Sequence, residues 1–200
     1  MPERVIDNIL SEDDFKSLSE EVLSSNFPWF FCRTPPEHIE EENFFLNGWG
    51  TAVLARGRVL YDPNNTLLKA AEKLILSTGE DLQELLRVRL ILNTATDKNY
   101  ENGAHVDISY EHRTALFYFN DSDGDTIVFK ERFDPDYGPD TNSFYREKII
   151  QPTKLVSITP KANRLFVFDG LHYHTGTTPT TVSRRVVMNI NYQVKGMKKL

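Results

Sequence analysis

His105 and Asp107 flank a single valine, and a second histidine, His174, stands far downstream in the run Phe168-Asp-Gly-Leu-His-Tyr-His-Thr-Gly176. Two imidazoles and one carboxylate on one face of a metal ion leave about three adjacent positions of an octahedron open, a ligand set that suits a ferrous ion activating oxygen. Arg185 follows, and its planar fork of donors suits a bidentate clamp on a carboxylate. In a strand, residues two apart point to the same side, so His105 and Asp107 would face one cavity with Val106 packing behind. A His-x-Asp tripeptide alone says little, because it occurs by chance in many proteins; its weight depends on the elements that carry it.

The first part of the chain reads as helical. Residues 11–24 form an amphipathic helix with Ser11 as N-cap, Asp14 three residues on, and Phe15, Leu18 and Val22 at helical spacing. Residues 27–31 are aromatic and belong in a strand or against the core; Thr34-Pro-Pro ends them, and 35–43 is an acidic loop. Residues 44–60 alternate loosely, and Gly48, Gly50 and Gly57 suggest bent strands or a hairpin. After the turn at 61–65, Thr66 begins a second helix with Leu67, Leu68, Ala71, Leu74 and Ile75 as its apolar stripe. Gly79 ends that helix, and a short third helix is expected at 80–86.

Beyond this point the chain turns to strands. Segments 87–93, 114–120, 126–129, 154–158, 164–168 and 185–192 are β-branched and aromatic, bounded by Asn, Asp, Gly and Pro. Short strands without intervening helices imply largely antiparallel sheets. The expected fold is therefore mostly β (α+β), a double-stranded β-helix or jelly roll with supporting N-terminal helices. No internal repeat or linker interrupts it, so residues 1–200 are expected to form one domain: support over 1–86 and the jelly-roll core over 87–192. Residues 133–145 hold two prolines, a glycine and three acidic residues, which reads either as a lid or binding loop or as a surface insertion.

Composition removes several classes. A net charge of −6 without a basic stripe argues against nucleic acid and anionic membranes as partners. One cysteine, Cys32, excludes an internal disulfide framework and is expected to be a small buried residue. No apolar run reaches the ~20 residues of a membrane span, and the acidic N-terminus has no signal-peptide profile. A cytoplasmic location, bacterial or that of a host cell for a phage-encoded protein, is the expectation; a reducing compartment also suits ferrous iron.

The His105-Val-Asp107 pair, Thr114-Ala-Leu-Phe-Tyr-Phe-Asn-Asp121, Gly124-Asp-Thr126, Pro160 to Gly170, His174-Thr-Gly176 and Arg185-Val-Val-Met-Asn189 stand together in one order. In this combination the sequence resembles the 2-oxoglutarate/Fe(II)-dependent dioxygenase superfamily, and within it the prolyl-4-hydroxylase-like branch with its small bacterial and phage oxygenases. The resemblance spans about residues 87–192. It implies His105, Asp107 and His174 as iron ligands and Arg185 as the partner of the distal carboxylate of 2-oxoglutarate. It also implies Tyr118 as a hydroxyl on that carboxylate and Asn93 as a polar neighbour of the co-substrate. Fe(II), 2-oxoglutarate and O2 are the implied reactants, with ascorbate as an auxiliary reductant. Succinate, CO2 and a hydroxylated C–H bond are the implied products. Because halogenases of this kind leave the carboxylate position open for halide, Asp107 points to hydroxylation. A prolyl residue of a peptide or protein is the expected substrate, with a free amino acid or small metabolite as the alternative.

Some choices stay open in the residues themselves. His172 could face the metal in place of His174, although Thr-Gly after His174 matches the family pattern. Arg184 could replace Arg185, although Arg185 shares its face with Asn189 and Asn191 while Arg184 shares its face with Val186, Met188 and Ile190. His112 reads as an exposed histidine in a polar turn, and His38 has no partner pattern. The aspartates between 121 and 125 lack the spacing of a calcium loop and read as a hairpin turn. Phe117, Phe119, Phe129, Phe166 and Phe168 read as core. A zinc hydrolase could use the same three ligands, but it needs a general base and leaves Arg185 and Tyr118 unexplained. A non-catalytic jelly-roll binding domain is a further alternative, from which iron-dependent succinate formation would distinguish an enzyme.

Overall fold

The computed structural model describes residues 3–32, 48–134 and 152–198. Its larger sheet runs in the order β1 (Arg4–Asp7), β9 (Arg164–Asp169), β6 (Arg113–Tyr118), β11 (Arg184–Val194), β5 (Leu82–Thr94), β3 (Gly48–Ala55) and β2 (Phe30–Cys32), with β4 (Arg58–Val59) paired to β3. A smaller sheet follows the order β10 (His172–Gly176), β7 (Thr126–Arg132) and β8 (Lys154–Ile158). All pairings are antiparallel. The two sheets face one another as a jelly roll.

Strand alternation divides the larger sheet into two faces. Val88, Leu90, Ala115, Phe117, Leu165, Val167, Val186, Met188, Ile190 and Tyr192 point to one side and form the main core with the two helices. Leu116, Tyr118, Phe166, Phe168 and Val187 point to the other side and meet Val128 of the smaller sheet. The five phenylalanines expected in the core are all buried there or on the smaller sheet, each contributing roughly 1.5–3 kcal/mol relative to an exposed ring.

Helix α1 (Glu12–Val22) starts at Ser11, whose side chain accepts from the Asp14 N–H, and buries Leu18 and Val22. Helix α2 (Thr66–Leu76) buries Leu67, Ala71, Leu74 and Ile75. Its N-terminus is satisfied from outside, because the Asp62 carboxylate accepts from the N–H groups of Thr66, Leu67 and Leu68 at 3.0–3.1 Å. Both helices pack on the main core, as supports of the larger sheet. The hairpin between β3 and β4 turns through Arg56 and Gly57, both at positive φ, the conformation that a two-residue loop requires. No described helix is long and apolar enough to cross a membrane.

Four expectations need correction. Residues 82–86 are the start of β5, not a third helix, because Leu82, Glu84 and Leu85 pair with Val194, Gln193 and Tyr192; sheet pairing overrides a weak helical preference. His105 makes only an isolated bridge to His174, and Asp107 lies in a bend outside any strand. The stretch 119–125 is not a hairpin turn, since it carries the chain from β6 in one sheet to β7 in the other. His112 is buried, not exposed. The acidic loop, His38, the Cys32 side chain and residues 135–145 lie outside the described residues; Phe133 is buried against the smaller sheet.

Candidate metal centre

His174 is placed by β10, and the backbone of His105 pairs with it through two hydrogen bonds, His105 N to His174 O at 3.0 Å and His174 N to His105 O at 2.9 Å. Val106 is buried with Ile127, Phe129 and Tyr173 on the outer side of the smaller sheet, which leaves its two neighbours directed inward. Alternation thus works here without a regular strand. The ligand atoms offered by His105, Asp107 and His174 all lie within 4.8 Å of one another. His105 Nε2 stands 3.6 Å from Asp107 Oδ1, and His174 Nε2 stands 3.6 Å from Asp107 Oδ2.

The tautomers follow from the backbone. Nδ1 of His105 meets the Gly103 carbonyl at 3.1 Å, and Nδ1 of His174 meets the His172 carbonyl at 3.1 Å. A carbonyl only accepts, so each Nδ1 carries the proton, and in the neutral ring Nε2 presents its lone pair. Nε2 of His174 is buried and has no hydrogen-bond partner among the described residues. A buried lone pair aimed at a carboxylate is costly unless a cation completes the group, and second-sphere carbonyls of this kind orient metal-bound imidazoles. The donor set therefore fits a divalent ion, and a ferrous one in particular.

Asp107 is held by its surroundings. Arg87 Nη2 contacts its Oδ1, while Asn189 Nδ2 and Asn191 Nδ2 donate to Oδ2 at 2.8 and 3.0 Å. Arg87 Nε also donates to Asn191 Oδ1 at 2.9 Å, and Asn191 Nδ2 lies 3.0 Å from Thr114 Oγ1. Burial alone would favour the neutral acid. The charge of Arg87 and the contacts with both histidines together outweigh it, so the carboxyl stays well below its ordinary range. At His105 burial opposes protonation, but hydrogen bonding and attraction to Asp107 prevail and raise the imidazole.

A cleft of about 190 Å³ opens beside the triad, lined by His105, His174, Asn93, Thr126, Arg185 and Asn189 among others. Arg185 is buried; Nε donates to the Gly124 carbonyl at 2.9 Å and Nη2 to Thr126 Oγ1 at 2.7 Å. No described carboxylate forms an ion pair with it. Burial pulls the guanidinium below its ordinary value, against the attraction of Tyr118 and Asp125. A buried cation without an anion matches a carboxylate ligand. Gly176 lies against the fork, where a Cβ would make ordinary contact with its nitrogens at 3.6 Å.

The remaining expected residues fall as follows. Asn93 lines the cleft in register with Arg185. Tyr118 is fully buried outside the cleft lining, donating to Thr126 Oγ1 at 2.8 Å under the Arg185 guanidinium. Thr126 lines the cleft, and its Oγ1 joins Tyr118 to Arg185. Arg184 is exposed, and His172 directs Nδ1 to the Phe129 carbonyl at 2.8 Å. Arg87 and Arg89 have no site role in the sequence alone, although alternation along β5 from Asn93 points back to both, and Thr126 stands there only within Gly124-Asp-Thr126.

No family model matches the sequence, and no curated protein matches it. Solved structures do share the fold. The non-heme alpha ketoglutarate dependent epimerase SnoN from nogalamycin biosynthesis aligns with a TM-score of 0.64 at 14% identity, over 96% of this chain and 78% of that one. A prolyl hydroxylase from Trichoplax adhaerens, in complex with a hypoxia inducible factor peptide fragment, gives 0.60 at 12%, over 96% and 84%. HygX from Streptomyces hygroscopicus, with nickel and 2-oxoglutarate bound, gives 0.57 at 13%, over 97% and 83%. The fold of this chain is that of the 2-oxoglutarate/Fe(II) oxygenases, and its His-Asp-His group is compatible with their metal.

Proposed function

We propose that this protein is a non-haem Fe(II)- and 2-oxoglutarate-dependent dioxygenase that hydroxylates a C–H bond. The observation that carries the reading is the pairing, in one cleft, of a His-Asp-His group whose imidazoles present Nε2 with a buried arginine that lacks an anion. His105, Asp107 and His174 hold Fe(II), and Arg185 with Thr126 takes the far carboxylate of 2-oxoglutarate. Tyr118 fixes Thr126 and stacks beneath Arg185, while Asn93 borders the co-substrate. When bound, iron supplies the oxygen chemistry: 2-oxoglutarate and O2 give succinate and CO2, and the second oxygen atom enters the substrate C–H bond, with ascorbate keeping the metal ferrous.

The protein's part is positioning. Arg87 and the two histidines keep Asp107 ionised, Asn189 and Asn191 fix its direction, and the Gly103 and His172 carbonyls fix the rings. Residues 1–200 act as one domain on this reading, with 1–86 supporting the site built over 87–192, in a reducing cytoplasm. A zinc hydrolase gains nothing from an unpaired Arg185 in the same cleft. A peptidyl proline is the first substrate to try, because the sequence resembles the prolyl-4-hydroxylase-like branch and the Trichoplax structure carries a peptide. Aerobic incubation with Fe(II), 2-oxoglutarate and a panel of proline peptides and free amino acids tests it. The expected result is one product heavier by one oxygen atom, dependent on both cofactors; conversion that persists without iron or 2-oxoglutarate refutes the reading.

A further inference from the structure

We propose that Arg89 is the substrate-binding cation of this cleft, and that the substrate is a small carboxylic acid of the amino-acid type whose carboxylate pairs with it. The proposal rests on the dioxygenase reading above and names the substrate class of that site.

Alternation along β5 directs Arg87, Arg89, Ile91 and Asn93 to one face. Two of the polar three are accounted for: Arg87 pairs with Asp107, and Asn93 stands in register with Arg185. Arg89 lies between them, half-buried and lining the cleft. Its register partner is Asn189, the residue that donates to Asp107 at 2.8 Å. Side chains so opposed are about 5 Å apart at Cβ, so the Arg89 side chain is rooted beside Asn189 in the wall that also holds His105 and His174.

Arg89 makes no hydrogen bond or ion pair with any described residue. Arg4, Arg87, Arg113, Arg132 and Arg164 each meet a carboxylate. A cation kept in a concave, partly desolvated wall beside a reaction centre matches an anionic ligand. The co-substrate does not use it up, because one end of 2-oxoglutarate goes to Arg185 and the other to the metal. A second unmatched group sits next to it: Asn189 Oδ1 is buried in the cleft wall with no donor among the described residues. A cation for a carboxylate and an amide oxygen for an N–H together complement an α-amino acid. An internal prolyl residue of a peptide brings no charge to this position.

The test uses the full chain loaded with Fe(II) and 2-oxoglutarate, offered L-amino acids and dicarboxylic acids, each beside its carboxamide, and proline peptides in parallel. At least one acid should be oxygenated with a KM about 30-fold or more below that of its amide. Arg89→Gln should raise the KM for the acid by a similar factor, Arg89→Lys should restore part of it, and the KM for 2-oxoglutarate should stay at the wild-type value. Equal use of acid and amide, a substrate set confined to proline peptides, or a variant whose lost affinity is for 2-oxoglutarate overturns the proposal. Calorimetric binding of the acids to protein loaded with Ni(II) and 2-oxoglutarate separates the two readings. Binding lost in Arg89→Gln without turnover in the wild type supports Arg89 while refuting the dioxygenase; no acid bound at all refutes Arg89.

Discussion

Asp107 stays charged in a buried site because Arg87 and two histidines surround it, and His112, a few positions along, shows the opposite solution to burial. His112 donates Nδ1–H to the Tyr110 carbonyl at 2.7 Å, and burial pushes its imidazole down to about 4. In an unfolded chain the ring titrates near 6.5. A folded-state value below the unfolded one means that the contribution is complete above about pH 6.5 and is lost as pH falls towards 4. The difference corresponds to roughly 3 kcal/mol. Urea denaturation of the metal-free protein between pH 7 and 4 should therefore show a steeper stability loss in the wild type than in His112→Gln; parallel slopes contradict it. The charged neighbours of His112 suggest a polar turn, whereas its burial against the distant Gly170 is invisible along the chain. A Cβ at Gly170 would fall 2.2 Å from His112 Nε2. His105, Asp107, His174 and Arg185 were legible for the contrary reason: metal and carboxylate chemistry restricts residue type and spacing. Arg89 and Thr126 are ordinary residue types, and only the fold turns them towards the cleft.

At the scale of elements, β5 and β11 together carry the residues that hold Asp107 and one wall of the cleft. Their cleft-facing residues alternate with a core-facing set of Val88, Leu90, Val186, Met188 and Ile190, so each strand is anchored by one face while presenting the other. The strand readings over 87–93 and 185–192 were clear because that alternation is period two. The start of β5 was not, since Leu82 to Leu86 lacks β-branched residues and acquires its form from pairing with β11. The helices were readable from their stripes and from Ser11. The cap of α2 was not, because Asp62 stands outside the helix. Asp62→Ala removes the acceptor of three N–H groups and should cost about 1 kcal/mol. Equilibrium denaturation checks the figure, and an unchanged midpoint would contradict the assignment of this cap.

The whole molecule is a layered support for one cleft. Helices close one face of the larger sheet, and the smaller sheet covers only part of the other, so the space beside His105 and Asn189 remains open to a substrate. Across this span, His105 lies in an irregular segment, His174 in the smaller sheet, and Arg185 in the larger one. Such convergence of distant segments is what a jelly roll supplies. The most direct measurement of the central claim is the conversion of 2-oxoglutarate to succinate by the full chain with Fe(II) and O2, compared with Asp107→Ala. Wild-type protein should form succinate only when iron is present, and the variant should form essentially none. No iron-dependent succinate from the wild type, or equal amounts from both proteins, would contradict the account.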